Sequence, residues 1–170
     1  GKWGGISFNS SGKGQFQYCT FKNATTAITK SGGGHQVSFT NNCIFTNNVS
    51  NIEGYYNFGQ QIHITNSKIY YSSSITEDGI YLYDSGAYLH GNRIDGNNHG
   101  SYGIKALYNW GNPEGLAIYQ NDIFDNYAGV YFYEGTAMIQ KSDIYSNSYG
   151  VIATGYSDPM FREYYEDGEN

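Results

Sequence analysis

The chain repeats itself, and the repeat limits what it can fold into more than any other feature. One apolar residue recurs in a constant setting at Phe21, Ile44, Ile69, Ile94, Ile123 and Ile144, at spacings of 23, 25, 25, 29 and 21 residues. Five residues before each anchor stand Phe16, Phe39, Ile64, Leu89, Ile118 and Ile139, and seven before stand Gly14, Val37, Ile62, Ala87, Leu116 and Ala137. Two before are Cys19, Asn42, Ser67, Asn92, Asn121 and Ser142; three after are Ala24, Asn47, Ser72, Asn97, Asn126 and Asn147. A second anchor is a small residue followed by Ile or Val: Gly5-Ile6, Ala27-Ile28, Gly79-Ile80, Gly103-Ile104, Gly129-Val130 and Gly150-Val151, with a weaker form at Asn51-Ile52. Self-similarity at this period marks an array in which each copy buries its apolar face only by stacking on its neighbours.

The physics of one copy follows from its polarity. The positions seven and five before the anchor alternate with polar residues, so they form the inward side of a short strand. The Asn or Ser two before the anchor suits a tight turn, where its side chain bonds nearby backbone. The anchor points inward again, a second corner follows at the Asn three after it, and the Gly-Ile pair opens the next strand. Each copy is then a coil of two or three short strands that returns to its start. Coils stacked in parallel at about 4.8 Å make six of them a rod of roughly 30 Å. Composition agrees. With 23 Gly and only 14% charged residues, the chain lacks the Ala, Leu, Glu and Lys of a helical bundle, and 18% aromatics exclude a solvated coil.

The units NNCIFTNN (41 to 48), GNRIDGNN (91 to 98), QNDIFDNYAGV (120 to 130) and KSDIYSNSYGV (141 to 151) resemble the right-handed parallel β-helix repeat family, which includes pectate lyases, polysaccharide C5-epimerases, phage tailspikes and many secreted repeat proteins. The opening WGGISF (3 to 8) is similar to the coil openings of bacterial surface proteins of this type. The resemblance covers residues 3 to 157 and implies an all-β, right-handed parallel β-helix (solenoid) of about six coils plus a partial seventh. We expect residues 1–170 to form a single β-helix domain, a segment of a larger protein, secreted or at the cell surface. The stretch 155 to 170 reads as the opening of another coil, with Phe161 inward, and neither end shows a cap. A longer native chain, or rod ends covered by partner subunits, is the expectation.

Charge and hydropathy narrow the partners. The net charge is −6 and the 9 basic residues are scattered, so nucleic acid is not an expected partner. No apolar stretch approaches 18 residues, so no membrane span is expected.

Outward positions carry function. Six and four before the anchor, successive coils bring His63, Tyr88, His90 and Tyr119 together. The position before the anchor adds Lys68, Arg93, Asp122 and Asp143, with Arg93 and Asp122 expected to pair; the position after it reads Lys22, Phe45, Tyr70, Asp95, Phe124 and Tyr145. In the lyases and epimerases that the chain resembles, a base removes a proton beside a uronate carboxylate and a cation steadies the charge. The resemblance makes His63 or His90 the base, Tyr88 or Tyr119 the acid and Arg93 the carboxylate clamp. No Asp-Pro-His-Asp stretch of the alginate epimerases is present; Asp158-Pro159-Met160 shares only its first two residues. No cofactor is expected. Calcium, which the lyases hold on closely set carboxylates, finds no matching cluster, and Asp122 with Asp125, or Glu77 with Asp78, read as solvated turn residues.

A second outward array follows the Gly-Ile anchor. Tyr81, Lys105 and Tyr131 form one column; Tyr55, Tyr83, Leu107 and Tyr133 form another, although one of the two could face inward. The inserts 54 to 60 and 108 to 115 flank it and supply Tyr56, Phe58 and Trp110. Tyr81, Tyr83, Trp110, Tyr131 and Tyr133, with Asp95 and Asp122, are the candidate ligand-binding residues. Cys19 and Cys43 fall one column apart, against a disulfide. Three functions stay open: a noncatalytic rod presenting an aromatic and polar face to glycans or partners, a polysaccharide lyase, epimerase or hydrolase, and a filament subunit with homotypic end-to-end or lateral contacts.

Overall fold

The computed structural model describes residues 1–57, 59–71, 78–109 and 115–161. Within them the chain is an all-β parallel solenoid without helices. Three faces run along it. The first is a seven-stranded sheet of β2 (Gly14–Gln17), β5 (Val37–Thr40), β8 (Ile62–Thr65), β11 (Ala87–His90), β13 (Leu116–Tyr119), β15 (Thr136–Gln140) and β18 (Asp158–Phe161). The second carries the anchors on β3 (Thr20–Lys22), β6 (Ile44–Thr46), β9 (Lys68–Tyr70), the starts of β12 (Arg93–Leu107) and β14 (Asp122–Tyr133), and β16 (Asp143–Tyr145). The third holds β1 (Ile6–Phe8), β4 (Thr26–Ser31), β7 (Ser50–Tyr55), β10 (Ile80–Tyr83), the ends of β12 and β14, and β17 (Tyr149–Thr154). Strands β12 and β14 run through the corner and fuse the second and third faces into one sheet of eleven strands.

The inward columns lie where the repeat puts them. Phe16, Phe39, Ile64, Leu89, Ile118 and Ile139 stand in register on the first face, as do Gly14, Val37, Ile62, Ala87 and Leu116. Phe161 takes the register beside Ile139, but as the last described residue of that face it is largely exposed and not buried in the core as expected. One anchor differs. Phe45, not Ile44, stands between Phe21 and Ile69, fully buried, while Ile44 faces outward beside Lys68. The cause is local. The other coils turn from the first face to the second on a single left-handed residue, such as Asn66 (φ 47°) or Gln120 (φ 53°), whereas this coil uses two, Asn41 (φ 55°) and Asn42 (φ 66°). Asn tolerates that conformation better than most residues, so the coil holds one extra residue and everything after it slips by one. Cys43, not Asn42, then sits two before the anchor, in the same column as Cys19. Both thiols are free.

That column is a hydrogen-bond ladder. Asn121 Oδ1 accepts from the backbone N–H of Asn92 (3.0 Å) and from its amide (3.0 Å), while its own amide donates to Leu89 O (2.9 Å) and Tyr119 O (3.1 Å). Asn92 repeats this one coil earlier, with Oδ1 accepting from Ser67 N–H and its amide donating to Ile64 O. Corner backbone left without a strand partner is thereby satisfied inside the rod, where an orphaned group would be costly. A second ladder joins Asn126 to Asn147 after the anchor, and at the first of these corners Asn48, rather than Asn47, accepts from Ala24 N–H. Asn97 leaves this ladder: β12 carries extra residues after Asp95, and Gly100 takes the register opposite Asn126. Ser72 lies outside the described residues.

The Gly-Ile anchor also has a steric cause. A Cβ on Gly79 would lie 2.6 Å from Gly103 O, one on Gly103 the same distance from Gly129 O, and one on Gly129 2.8 Å from Gly150 O. The glycines stack because each sits against the next coil's carbonyl. Two inward features have no counterpart in the repeat. Lys30, fully buried in the column of Phe8 and Leu82, donates from Nζ to Gly32 O (2.6 Å) and Asn9 O (3.3 Å), and burial holds its pKa below the ordinary lysine value. In the first two coils Phe16 stacks on Phe39 (5.1 Å) and Phe21 on Phe45 (4.8 Å), the two stacks meeting edge to face.

Candidate functional site

The first face gathers four of the five residues that the resemblance makes catalytic. His63 stands in register with Tyr88, and His90 with Tyr119. Their rings form one run: His63 to Tyr88 at 5.3 Å, Tyr88 to His90 at 6.0 Å, His90 to Tyr119 at 5.1 Å, the last pair stacked. His90 Nε2 is 2.8 Å from Gln120 Oε1, and burial holds the pKa of His63 below the ordinary imidazole value. Arg93 is elsewhere, on the second face. It is in register with Asp122, but its guanidinium turns to Asp95 of its own strand (3.3 Å) and lies over the Phe124 ring (4.4 Å). The expected Arg93–Asp122 ion pair is therefore replaced, because Asp95 projects on the same side of the same strand two residues on, and Phe124 offers its ring face to the cation. Asp122 adjoins Asp143 in register.

The third face carries a denser array. Both doubtful columns face outward, since Leu82, Ala106 and Phe132 between them are the buried ones. Tyr55, Tyr83, Leu107 and Tyr133 stand in register. One residue past them, at the left-handed corner, lie Tyr56 (φ 54°) and Tyr108 (φ 56°). The corner residues interleave with the column and build a zigzag of four rings. Tyr56 meets Tyr83 at 5.4 Å, Tyr83 meets Tyr108 at 5.3 Å, and Tyr108 meets Tyr133 at 5.2 Å, all edge to face. Tyr108 stands in the insert that the sequence flags, and it joins the row because it takes the same corner position as Tyr56, two coils away. Trp110 and Phe58 lie outside the described residues.

Beside this row the column Glu53, Tyr81, Lys105, Tyr131 runs along the rod. Lys105 Nζ lies 3.4 Å from the Asp78 carboxylate and over the rings of Tyr81 (5.6 Å) and Tyr102 (5.1 Å). Tyr102 in turn packs on Tyr131 (4.9 Å) and Tyr127 (6.0 Å), and Tyr127 on Tyr149 (5.2 Å). Ser50, Glu53, Tyr55, Asp78, Tyr81 and Lys105 line a cleft of about 240 Å³. Glu53 is the polar residue that sequence reasoning passed over, because charge in a solenoid column looks like solvated ladder, and Asp78, expected as a solvated turn residue, is instead largely covered and paired with Lys105. Burial, then the Asp78 carboxylate, raises the Tyr81 phenol pKa, and the Glu134 carboxylate does most to raise that of Tyr133. These phenols stay protonated through neutral pH and keep their hydrogen-bond donors.

A second cleft, of about 530 Å³, is lined by Lys13, Gly14, Gln15, His35 and Gln36. Neither cleft includes His63, Tyr88, His90, Tyr119 or Arg93. Among the described residues no group of three or more His, Cys, Asp or Glu is placed to hold a metal ion. Among them no helix is long and apolar enough to cross a membrane.

Comparison with known proteins adds one finding. The family model described as the right handed beta helix region matches residues 4–163. No curated protein and no solved structure gives a significant match.

Proposed function

The chain belongs to the right-handed beta helix region family, and from that premise we propose that it is a noncatalytic, rigid module of a secreted or surface protein that binds glycans on its tyrosine face. The observation that carries the reading is the row Tyr56–Tyr83–Tyr108–Tyr133, four rings at centroid steps of 5.2 to 5.4 Å along the rod. Edge-to-face contacts cover less ring face than parallel stacks would, leaving apolar surface for the C–H faces of sugar rings. The phenol hydroxyls donate to sugar oxygens. A tyrosine has few rotors to freeze, so such a surface binds at low entropic cost. An extended polymer suits an extended row, since each coil repeats the contact.

Two observations favour binding over turnover. The His63–Tyr119 run and Arg93 occupy different faces, so a base and a carboxylate clamp do not converge on one reacting atom. The Arg93 guanidinium is also already engaged, by Asp95 (3.3 Å) and by the Phe124 ring (4.4 Å).

Titration calorimetry with a panel of neutral and charged oligosaccharides tests the proposal. Each ring lost should cost about 1 to 1.5 kcal/mol, so Tyr83→Ala with Tyr108→Ala weakens binding by about two orders of magnitude. The expected control is His90→Ala, with affinity unchanged. An unchanged double variant, or turnover of a uronate polymer abolished by His90→Ala, would overturn the reading.

A further inference from the structure

We infer that the cleft beside the tyrosine row is a subsite for a primary ammonium group, so that the glycan bound on this face carries free amino groups. The inference rests on the glycan reading above. It starts from how the face already holds a cation. Lys105 is seated by one carboxylate, Asp78 at 3.4 Å, and by two aromatic rings, Tyr81 and Tyr102. Carboxylate plus ring faces is the chemistry that recognises an ammonium: the ion pair supplies charge and the ring quadrupoles attract the same cation.

The opposite half of the cleft repeats that set. Glu53 is the register neighbour of Tyr81, as Lys105 is on its other side. The Tyr55 and Tyr81 rings stand beside Glu53, 5.7 Å apart and tilted by 54°. Glu53 is held by neutral donors: its Oε2 accepts from Tyr55 OH (3.1 Å) and its Oε1 from Thr26 Oγ1 (3.4 Å). Those bonds fix the carboxylate without cancelling its charge, and among the described residues Glu53 has no ion pair. Two carboxylates and one ammonium leave the cleft with net charge −1, on a chain of net charge −6. Burial keeps the Tyr81 phenol neutral, so it adds no further negative charge.

Size agrees. A water occupies about 30 Å³ of liquid, so the cleft of about 240 Å³ has room for roughly eight, on the scale of one sugar unit. An N-acetylated unit would bring a neutral amide that satisfies neither the carboxylate nor the rings. A uronate would meet like charge, since Lys105 is already engaged by Asp78. A deacetylated amino sugar presents its ammonium on a short, stiff ring, next to the hydroxyl-bearing face that the tyrosine row takes.

The test compares tetramers of glucosamine, N-acetylglucosamine and glucose by calorimetry at low salt, with the amine protonated. The glucosamine tetramer should bind at least tenfold more tightly than the other two. Glu53→Gln, nearly isosteric, should erase that preference while leaving affinity for the neutral tetramers, and added salt should shrink it. Equal affinity for all three, no binding by any, or a preference that survives Glu53→Gln would overturn the inference. A measurement without a variant guards against misfolding: methylammonium chloride should shift the Tyr55 and Tyr81 ring resonances, and resonances that stay put would count against the subsite. If methylammonium binds but Tyr83→Ala with Tyr108→Ala leaves oligosaccharide affinity intact, the glycan row fails and the ammonium subsite stands.

Discussion

Replacing Asn121 by Ala should destabilise the rod by about 3 to 5 kcal/mol, measured as a fall in the denaturation midpoint. The side chain is fully buried and links two successive coils. It accepts from the backbone and the amide of Asn92, and it donates to Leu89 O and Tyr119 O. Alanine removes both directions at once. Asn92 N–H is left inside the corner without a partner, the Asn92 amide loses one acceptor and Leu89 O loses one donor, and a buried group left unsatisfied costs about 1 to 3 kcal/mol. Asn121→Ser is the informative control, because Ser142 already fills the same column and its Oγ accepts from Asn121 N–H (3.1 Å). The serine variant should recover more than half of the loss. If alanine costs less than about 1 kcal/mol, the ladder is not what holds the corners.

The second large effect lies at the other end of the rod. Phe39→Ala should cost about 3 to 5 kcal/mol, the range for deleting a buried aromatic. Phe39 is fully buried, stacks on Phe16 (5.1 Å), and meets Phe21 (5.6 Å) and Phe45 (5.3 Å) edge to face. It joins the first two coils to each other and the first face to the second, and a solenoid opens where a neighbour interface weakens. Cys43 reports that opening. It is buried, its thiol donates toward Phe16 O (3.4 Å), and burial raises its pKa, so it is protected in the native state. In the variant, labelling of Cys43 by a thiol reagent should speed up by about two to three orders of magnitude, since each 1.4 kcal/mol is tenfold. Unchanged labelling would mean that the four phenylalanines do not act as one unit. Phe39→Leu, which keeps most of the volume, should cost under about 1.5 kcal/mol.

The coil architecture was legible because it is periodic. Anchor, inward strand positions and Gly-Ile pair recur often enough that register follows, and even the weak copy Asn51-Ile52 takes its column beside Ile80. Local exceptions were not legible. Two left-handed asparagines at 41 and 42 look like one conserved-length corner, yet they shift Phe45 inward and bring Cys43 into line with Cys19. Extra residues after Asp95 similarly remove Asn97 from its ladder.

The site was half visible. Columns bring His63 to Tyr88 and His90 to Tyr119, and Tyr83 to Tyr133 through Leu107, because register alone sets those contacts. Side-chain direction is a further degree of freedom. Arg93 had Asp122 across the coil and Asp95 along its strand, and only coordinates choose between them. Glu53 goes unmarked and Asp78 reads as a solvated turn residue for the same reason, since an outward acid is ordinary until Thr26, Tyr55 and Lys105 are placed around it.

The glycan claim is tested most directly by following tyrosine ring resonances during titration with neutral and amino oligosaccharides. Binding on the third face predicts saturable shifts at Tyr56, Tyr83, Tyr108 and Tyr133, with Tyr88 and Tyr119 on the first face unmoved. Shifts confined to Tyr88, Tyr119 and their histidine neighbours, or a tyrosine row that never responds, would contradict it.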